Sequence, residues 1–474
     1  MKSSTHSIPS GLTRLSLTMG TLMLSAGIPS FCHSQGYSVS EQDAVAMGRG
    51  GTGVAASNQD ASAIFYNPAG LAGISGGLAT VSSTLIGIRS SFIGDNPGQS
   101  ADLDNPWLAV PQAYVAYGGV SGFAFGIGVF APFGLETKWP TSFDGSFSGY
   151  KNILQNIYIQ PTVAYRLTPG ISLGGGVDII AGSVELNEQT DLATIPVPLP
   201  GVPAGTTFRS LGVPSGTAFA DAHIEASKTT FAGHIGAIVE INDRLSLGAN
   251  FLSRAKFDFS GTASFKELPT GLKLSRPLIV GRDTLPAGTS VDGLLGGPAP
   301  GLDLFNASKG VFRSQPLSTI LKNPAQLTVG LAYKAGGGLT VLGDYQYTWW
   351  DSFDAVHLNF TQDASGMLSR TLYEDYNNTS AYRLGIEWQE NADWTFRAGY
   401  AHIDAAAPDQ TVTPMLPEAS GDNYDIGASI RLLPNLKTDI AYQYHRQDDR
   451  RGRTRDPIGN TVPTTAPCHP SSDQ

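Results

Sequence analysis

The sequence predicts an all-β fold, and more narrowly a transmembrane antiparallel β-barrel. Three observations lead to this fold class. Beyond the N-terminus no segment is apolar enough for a membrane-spanning helix, apolar residues recur at every second position, and short loops alternate with long ones.

The composition is compatible with a protein that crosses the bilayer with strands. Charged residues make up 15% of the 474 residues, and 56 residues are glycine. Beyond the N-terminus there is no run of about 18 uncharged apolar residues, which a spanning helix needs. Because only helices and closed barrels satisfy the backbone inside lipid, a barrel remains. The net charge of −10 argues against a nucleic-acid partner, which would need a basic face.

Apolar and polar side chains alternate along many segments. In one of them the apolar positions are Tyr424, Ile426, Ala428, Ile430 and Leu432. The same period recurs in 382–388, 394–400 and 436–444. A period of two indicates strands with one apolar and one polar face. Tyrosine and tryptophan near the strand ends favour lipid beside the apolar face, because these residues concentrate at membrane interfaces.

The breaks between these segments alternate in length. Short breaks fall at 118–121, 168–170, 242–244, 334–338, 389–393 and 433–435, and long ones at 95–106, 132–152, 189–220, 265–322, 362–378 and 405–419. Tight turns at one membrane face and long loops at the other are typical of outer-membrane barrels. A soluble sandwich or propeller, the alternative, gives no reason for such sorting.

The predicted barrel, residues 77–448, has an odd number of strands. Thirteen are predicted, at 77–94, 107–118, 121–131, 153–168, 170–188, 221–241, 244–264, 323–334, 338–361, 379–389, 393–404, 421–432 and 434–448. An odd number cannot close an antiparallel cylinder. The polar tail, 449–474, has several prolines and no alternating run, so it is a poor strand. Either the count is wrong by one, or the closing strand is missing or degenerate.

Residues 1–35 are predicted to be a secretory signal peptide. A charged start precedes an apolar segment, 15–28, and small and polar residues follow it. Cleavage is expected between Ser34 and Gly36, and a short membrane anchor is the alternative. Cys32 and Cys468 lie outside the predicted barrel, so no disulfide is expected within it.

Residues 36–76 are predicted to form a compact segment that fills the barrel lumen. Its glycines at 48, 50, 51 and 53 permit irregular, tightly turned backbone. Asn67-Pro68 predicts a turn, since proline fixes its own φ and biases the preceding residue away from helix. On these residues alone, an exported linker is the alternative. No GK[ST] sequence follows the glycines, so they do not indicate a phosphate-binding loop.

Residues 36–74, GYSVSEQDAVAMGRGGTGVAASNQDASAIFYNPAGLAGI, resemble the hatch of the outer-membrane long-chain fatty acid transporter family (FadL-type, which includes aromatic-hydrocarbon importers). Segments 131–139, 156–179, 321–356 and 415–444 resemble later parts of that family. The resemblance implies a fourteen-stranded barrel in the bacterial outer membrane, with the hatch in its lumen. The family's C-terminal aromatic residue, which barrel assembly machinery reads, is replaced here by Ser-Asp-Gln, so a truncated last strand is expected.

The resemblance also implies residues that bind the substrate or gate its passage. These are Phe65, Tyr66, Asn67, Pro68 and Ala69 in the hatch, and Phe130, Pro132, Phe133 and Gly134 at the third strand. In this family a kink in the third strand opens the wall for lateral exit. A tapered barrel corner would equally explain the many glycines of that strand. Arg166, Lys322 and Arg383 are the candidate partners of a fatty-acid carboxylate.

Two loop stretches, 195–208 and 268–305, are more apolar than loops in water usually are. Exposed apolar patches often mark binding surfaces. These loops are therefore expected to form a groove that captures the substrate, unless they pack against one another.

The predicted function is passive uptake of hydrophobic compounds, most of all long-chain fatty acids, through a hatch-gated barrel with lateral exit. Expected partners are the substrate, the lipid bilayer, lipopolysaccharide and barrel assembly machinery, and the chain is expected to be a monomer. No catalytic residue, metal or cofactor is predicted, because His223, His234, His357 and His445 lack metal-ligand spacing. The alternatives are uptake of aromatic hydrocarbons or other neutral lipids, a general porin, and an outer-membrane enzyme or adhesin.

Overall fold

The structure is a computed structural model of the chain. It describes residues 17–19, 36–56, 60–94, 100–104, 107–197, 202–203, 205–280, 283–296, 303–363, 365–455 and 461–469. The predicted signal peptide therefore lies almost wholly outside the described residues. Within them, no helix is long and apolar enough to cross a membrane.

Thirteen strands follow one another as antiparallel neighbours, which confirms the predicted fold class. They are β1 (Gly76–Gly87), β2 (Trp107–Val120), β3 (Phe123–Lys138), β4 (Lys151–Thr168), β5 (Ile171–Asp191), β6 (Ala218–Glu240), β7 (Leu245–Leu252 and Ala255–Glu267), β8 (Gln315–Asn323 and Gln326–Gly336), β9 (Leu339–Thr348 and Ala355–Phe360), β10 (Thr379–Gln389), β11 (Trp394–Ile403), β12 (Gly421–Leu433) and β13 (Leu436–Gln447).

The remaining elements are short. The α-helices are Ala44–Met47, Ala63–Tyr66 and Val291–Leu295, and the 3-10 helices are Pro68–Gly73, Asp144–Phe147, Leu192–Thr194, Phe208–Leu211 and Trp350–Ser352. Further strands lie at Leu17–Met19, Ser91–Ile93, Ser100–Asp102, Leu278–Val280, Asp283–Leu285, Arg370–Tyr373, Arg450–Arg455 and Thr461–His469.

The wall has its apolar face outside and its polar face inside. On β12, Tyr424 and Ile426 are 48% and 61% exposed, whereas Asn423 and Asp425 are 4% and 3% exposed. A soluble β-protein would bury the apolar face. The inverted arrangement fits a wall with lipid outside it and a filled lumen inside it.

Several predicted boundaries were wrong; β3, for example, ends at Lys138, seven residues beyond its predicted end. β8 begins at Gln315, although 315–322 was assigned to a loop. Pro324 interrupts the strand between its two segments, because proline has no N–H for the ladder, and this break hid the first segment. β1 ends at Gly87, seven residues before its predicted end, and Ser91–Ile93 belongs to a separate small sheet.

The edges of β1 and β13 do not pair with each other within the described residues. β1 pairs with β2 on one side, and Leu17–Met19 lies parallel to it on the other. The tail was expected to be a poor strand, but Arg450–Arg455 and Thr461–His469 pair with each other. Both join the sheet of Ser91–Ile93 and not the wall.

The long loops bury their apolar side chains against one another. One cluster joins Ile195 and Phe208 of one loop with Leu274, Leu295 and Leu304 of another. The expectation of an open capture groove is therefore corrected. In the described parts of 195–208 and 268–305, these side chains form a core instead of an open surface. Burial among the loops removes their apolar area from water, which drives this packing.

The hatch lies inside the lumen and touches the wall through its backbone. A Cβ atom at Gly399 of β11 would lie 2.0 Å from Gly50 N, and one at Gly248 of β7 would lie 2.1 Å from Val54 O. A Cβ at Gly385 of β10 would lie 2.3 Å from Arg49 O. Any larger residue at these wall positions would push the hatch backbone away.

Replacing Gly399 with alanine is therefore expected to loosen the hatch without dissolving the barrel. Overpacking of this kind costs about 1–3 kcal/mol, so limited proteolysis should cut the hatch faster. Gly343→Ala is the matched control, because the nearest atom to its added Cβ would be a side-chain carbon of Leu384 at 3.6 Å. Equal hatch cleavage in the two variants would contradict this account of the contact.

Candidate functional site

Asn67 fastens the hatch to two wall strands. Its Nδ2 donates to Val54 O at 2.6 Å, to Ala237 O of β6 at 3.0 Å and to Ala249 O of β7 at 3.2 Å. Its Oδ1 accepts a hydrogen bond from Ala69 N at 3.1 Å. The side chain is almost fully buried, so each of these bonds forms where water cannot replace it.

Pro68 and Ala69 start the 3-10 helix Pro68–Gly73. Glycines on the wall make room for this turn: a Cβ at Gly236 would lie 2.1 Å from Asn67 Oδ1, and one at Gly174 would lie 2.5 Å from Pro68 C. Asn67, Pro68 and Ala69 are not among the residues that line the cavity described below. Their position is that of an anchor between hatch and wall.

A cavity lies in the lumen against the hatch. Three of the predicted site residues line it, Phe65, Tyr66 and Phe130. The ring centroids of Phe65 and Phe130 are 5.2 Å apart. The rest of the lining is largely polar: Ser38, Ser40, Tyr158, Gln160, His234, Asn250, Gln326, Thr328, Asp344, Gln346 and Arg383, with Val39, Gly51, Val54 and Leu252. The cavity offers an aromatic wall and many hydrogen-bonding groups.

The wall is interrupted between β2 and β3. The two strands pair only as far as Ala113 and Val129. Beyond this point β3 pairs with β4 alone, and its register shifts between Phe130 and Phe133. The interruption leaves the first residues of β2, from Trp107, without a ladder to β3.

The hatch covers this interruption from inside with main-chain bonds. Val39 N–H donates to Pro132 O, and Gly134 N–H donates to Tyr37 O, both at 2.8 Å. Gln42 Nε2 donates to Ala131 O at 2.9 Å. The structure therefore brings Pro132, Phe133 and Gly134 together with the start of the hatch.

Sequence analysis did not identify a cluster of aromatic residues that packs around Tyr37 of the hatch. Tyr37 packs edge-on against Trp350 and Phe353, with ring centroids 4.8 and 5.4 Å away, and against Phe133 at 6.1 Å. Tyr376 extends the cluster beside Phe353. Trp350 leaves the alternation at the end of β9 and turns inward, and the run Tyr-Thr-Trp-Trp was the available signal.

The three basic residues that are candidate partners of a carboxylate lie in different environments in the structure. Arg383 on β10 is buried and lines the cavity. Arg166 is exposed near the end of β4. Lys322 lies on the outer face of β8, where its Nζ is 3.8 Å from Asp354. Neither Arg166 nor Lys322 reaches the cavity lining.

Arg383 is a buried cation without a carboxylate partner. Its Nη1 donates to Gln346 Oε1 at 2.7 Å. Its Nη2 has no hydrogen-bond partner, and within the described residues no carboxylate oxygen lies within 4 Å of the guanidinium. Asp344 stands directly across from Arg383 on β9, but its Oδ2 accepts from Gly53 N and Val54 N at 2.8 and 3.1 Å.

His234, which sequence analysis considered only as a metal ligand, is a second polar group in the cavity lining. Its Nδ1 lies 2.6 Å from Asp178 Oδ1, and its Nε2 lies 3.0 Å from Thr162 Oγ1. The three residues come from β6, β5 and β4. Since their pairing depends on register across three strands, no local sequence pattern marks it.

Charged groups also hold the other side of the hatch. Arg49 Nη1 lies 3.4 Å from Glu387 Oε2 of β10. Asp43 caps the helix Ala44–Met47, and its Oδ2 accepts from Val45 N at 2.7 Å. Burial raises the pKa of Asp43 to about 7, with further contributions from nearby Asp60 and Asp439.

Hatch docking should consequently depend on pH. A carboxyl group whose pKa is raised in the docked state favours that state when protonated, so docking should weaken as pH rises through about 7. Proteolysis of the hatch should be slower at pH 5 than at pH 8. Asp43→Asn keeps the helix cap and should abolish most of this difference, whereas an unchanged pH profile in that variant would exclude Asp43 as its source.

The comparisons with known proteins agree with this geometry. The family model described as outer membrane protein transport protein (OMPP1/FadL/TodX) matches residues 25–464. Outer membrane protein P1 of Haemophilus influenzae is 24% identical, over 90% of this chain and 89% of that protein. The long-chain fatty acid transport protein of Escherichia coli is also 24% identical, over 87% of this chain and 86% of that protein.

Solved structures share the fold. A FadL homologue of Pseudomonas aeruginosa superposes with a TM-score of 0.73 at 20% identity, covering 92% of this chain and 97% of that one. The toluene transporter TodX of Pseudomonas putida superposes with a TM-score of 0.54 at 17% identity, covering 85% and 89%. The chain belongs to the OMPP1/FadL/TodX family of outer membrane proteins, which transport hydrophobic compounds.

Proposed function

We propose that this chain takes up anionic amphiphiles, above all long-chain fatty acids, by passive diffusion through the hatch-gated barrel. Membership of a family of hydrophobic-substrate transporters supports the general activity. The observation that carries the choice of substrate is Arg383, a buried guanidinium at the cavity whose Nη2 has no hydrogen-bond partner.

A fatty acid would complete this site. An unpaired buried charge is costly, and a carboxylate that pairs with it removes that cost. The acyl chain would extend toward Phe65, Phe130 and the aromatic cluster around Trp350. Each methylene that leaves water there contributes about 0.8 kcal/mol, so a long chain binds tightly without further polar contacts.

Arrival of a carboxylate would also act on the hatch. Asp344 faces Arg383 across the strand pair and holds Gly53 and Val54 through its carboxylate. A second negative charge beside Arg383 would compete for that cation and repel Asp344. The bound state would then favour a hatch position in which these two amide bonds are released. A ligand shifts such an equilibrium only through its different affinities for the two states.

The interruption between β2 and β3 is the proposed exit. The main-chain bonds from Tyr37 and Val39 to the kinked part of β3 close it from inside. A hatch movement that breaks these bonds would connect the cavity to the lipid beside the wall. The substrate would leave sideways, with its acyl chain passing directly into an apolar medium.

A neutral aromatic hydrocarbon is the alternative substrate, and TodX, a structural relative, is a toluene transporter by its name. Such a molecule would leave Nη2 of Arg383 without a hydrogen-bond partner. This group favours a substrate with a charged end.

We infer transport without chemistry on the substrate. Thr162, His234 and Asp178 stand in the order of an acyl-transfer triad. His234 lines the cavity, but Thr162 is not among its lining residues. A substrate in the cavity would therefore not reach the hydroxyl that would have to attack it.

Replacing Arg383 with glutamine should weaken oleate binding by roughly 10- to 100-fold, the range expected when a hydrogen bond to a charged group is lost. Binding of oleyl alcohol, which has the same chain without the charge, should change little. Arg166→Gln is the matched control, because that cation lies outside the cavity. If oleate and oleyl alcohol lose affinity equally in Arg383→Gln, the charge-pairing hypothesis is wrong.

Replacing Asn67 with aspartate keeps the shape of the side chain and removes its donors. Each lost hydrogen bond costs about 1 kcal/mol, so the hatch should lose its position and the cavity its lining residues Phe65 and Tyr66. Oleate uptake by cells that carry the variant should fall, while circular dichroism and heat-modifiable migration of the barrel stay unchanged. Uptake at the wild-type rate would reject the role of this anchor in gating.

A further inference from the structure

The outer face of β7 and β8 changes abruptly from apolar to charged. In the part of the wall nearest the short turns, the outward residues include Leu247 and Phe251 on β7 and Leu331 and Val329 on β8. Towards the long loops the outward residues become Arg254, Lys256 and Lys322. Such a step marks the height at which lipid tails give way to headgroups.

Six charged side chains from β7, β8 and the turn within β9 form what we call the outer charged patch. Arg254 Nη2 lies 3.8 Å from Asp351, Lys256 Nζ lies 2.8 Å from Asp258, and Lys322 Nζ lies 3.8 Å from Asp354. Their side chains are 35–65% exposed. Ion pairs this exposed hold each other weakly, so both signs of charge remain free to bind another molecule.

Two of the cations stand opposite each other on the outer face of the wall. Lys256 and Lys322 are direct partners across the β7–β8 ladder. Like charges at such positions destabilise a sheet. Their carboxylate neighbours, Asp258 and Asp354, lie to the side and on different elements. An anion placed between the two ammonium groups would convert the repulsion into two attractions.

The wall beside the patch also leaves its ladder incomplete. β6 and β7 pair as far as Ser227 with Ser260 and again from His234 with Leu252. Between these points, Ser253 N–H donates to Gly233 O, Thr230 Oγ1 donates to Lys256 O, and Gly233 N–H donates to Ser253 Oγ. Unpaired backbone groups are expensive in hydrocarbon, so this zone fits polar headgroups.

We propose that the outer charged patch binds the phosphorylated sugar headgroup of a lipopolysaccharide molecule in the outer leaflet. The phosphate lies between Lys256 and Lys322, where two ammonium groups can donate to its oxygens. Sugar hydroxyls donate to Asp258, Asp351 and Asp354. A phosphorylated sugar has both kinds of group, whereas a phospholipid such as phosphatidylglycerol has its phosphate but few hydroxyls. The acyl chains then lie along the apolar face below, beside Phe251.

The test uses the purified full chain in detergent, with rough-type lipopolysaccharide as the probe and native mass spectrometry as the readout. Each lysine near a phosphate contributes roughly a fivefold factor in affinity. Lys256→Gln with Lys322→Gln should therefore lower lipopolysaccharide binding by roughly 25-fold, the product of two such factors. Arg244→Gln is the matched control: it removes an exposed cation at the opposite end of β7, and binding should stay at the wild-type level.

A second arm separates the glycolipid from anionic lipid in general. Phosphatidylglycerol should bind more weakly than lipopolysaccharide and respond little to Asp351→Asn with Asp354→Asn, which should weaken lipopolysaccharide. If the double lysine variant retains lipopolysaccharide within twofold of wild type, the site is wrong. If phosphatidylglycerol binds equally well and follows the same variants, the assignment to a phosphorylated sugar is wrong. Oleate binding measured in parallel should not change in any of these variants.

Discussion

The close approach of the hatch backbone to the inner wall is the constraint on which the rest of this structure depends. A lumen enclosed by side chains of ordinary size would hold the hatch several ångströms away. Instead, wall glycines such as Gly174, Gly248, Gly385 and Gly399 let the main chain touch the strands directly. The carbonyls of Ala237 and Ala249 can then accept from Asn67, and the cavity gains a floor whose position is fixed.

This contact also explains why charged residues can lie inside the barrel. Asp344 is buried, yet two hatch amides satisfy one of its oxygens. Glu387 is buried between Arg49 of the hatch and Arg397 of the neighbouring strand. Arg383 lacks such a partner and stands where the cavity opens. The charge of Glu387 is thus matched within the chain, whereas Nη2 of Arg383 has no hydrogen-bond partner among the described residues.

Much of the wall follows from its sequence, because a residue's face is fixed by its position in an unbroken strand. On β10 to β13 the alternation predicted both the bounds and the outward residues, as Tyr424 and Ile426 illustrate. Lys322 shows where this reasoning fails. Side chains alternate between the two faces of a strand, so the inward residue Gln326 predicts that Lys322, four positions earlier, also points inward. The chain has one extra residue at Pro324–Ala325, and Lys322 therefore points outward.

The site was predictable where it is local and not where it is assembled. The hatch turn at Asn67-Pro68 and the aromatic residues beside it are contiguous, so a local sequence pattern can mark them. The packing of Tyr37 on Trp350 joins residues more than 300 positions apart. No spacing within one segment encodes that contact. The same holds for His234, whose two partners are fixed only by the stagger of three strands.

The paired irregularity of β7 and β8 limits how this wall can change in length. The ladder between them runs from Leu252–Gln326 to Ala255–Asn323, so both strands carry a surplus residue at the same height. A deletion in one strand alone would move Phe257 and Phe259 out of the lumen and Lys256 into it. Residues can therefore be lost or gained here only if both strands change together, so the lengths of the two strands are coupled.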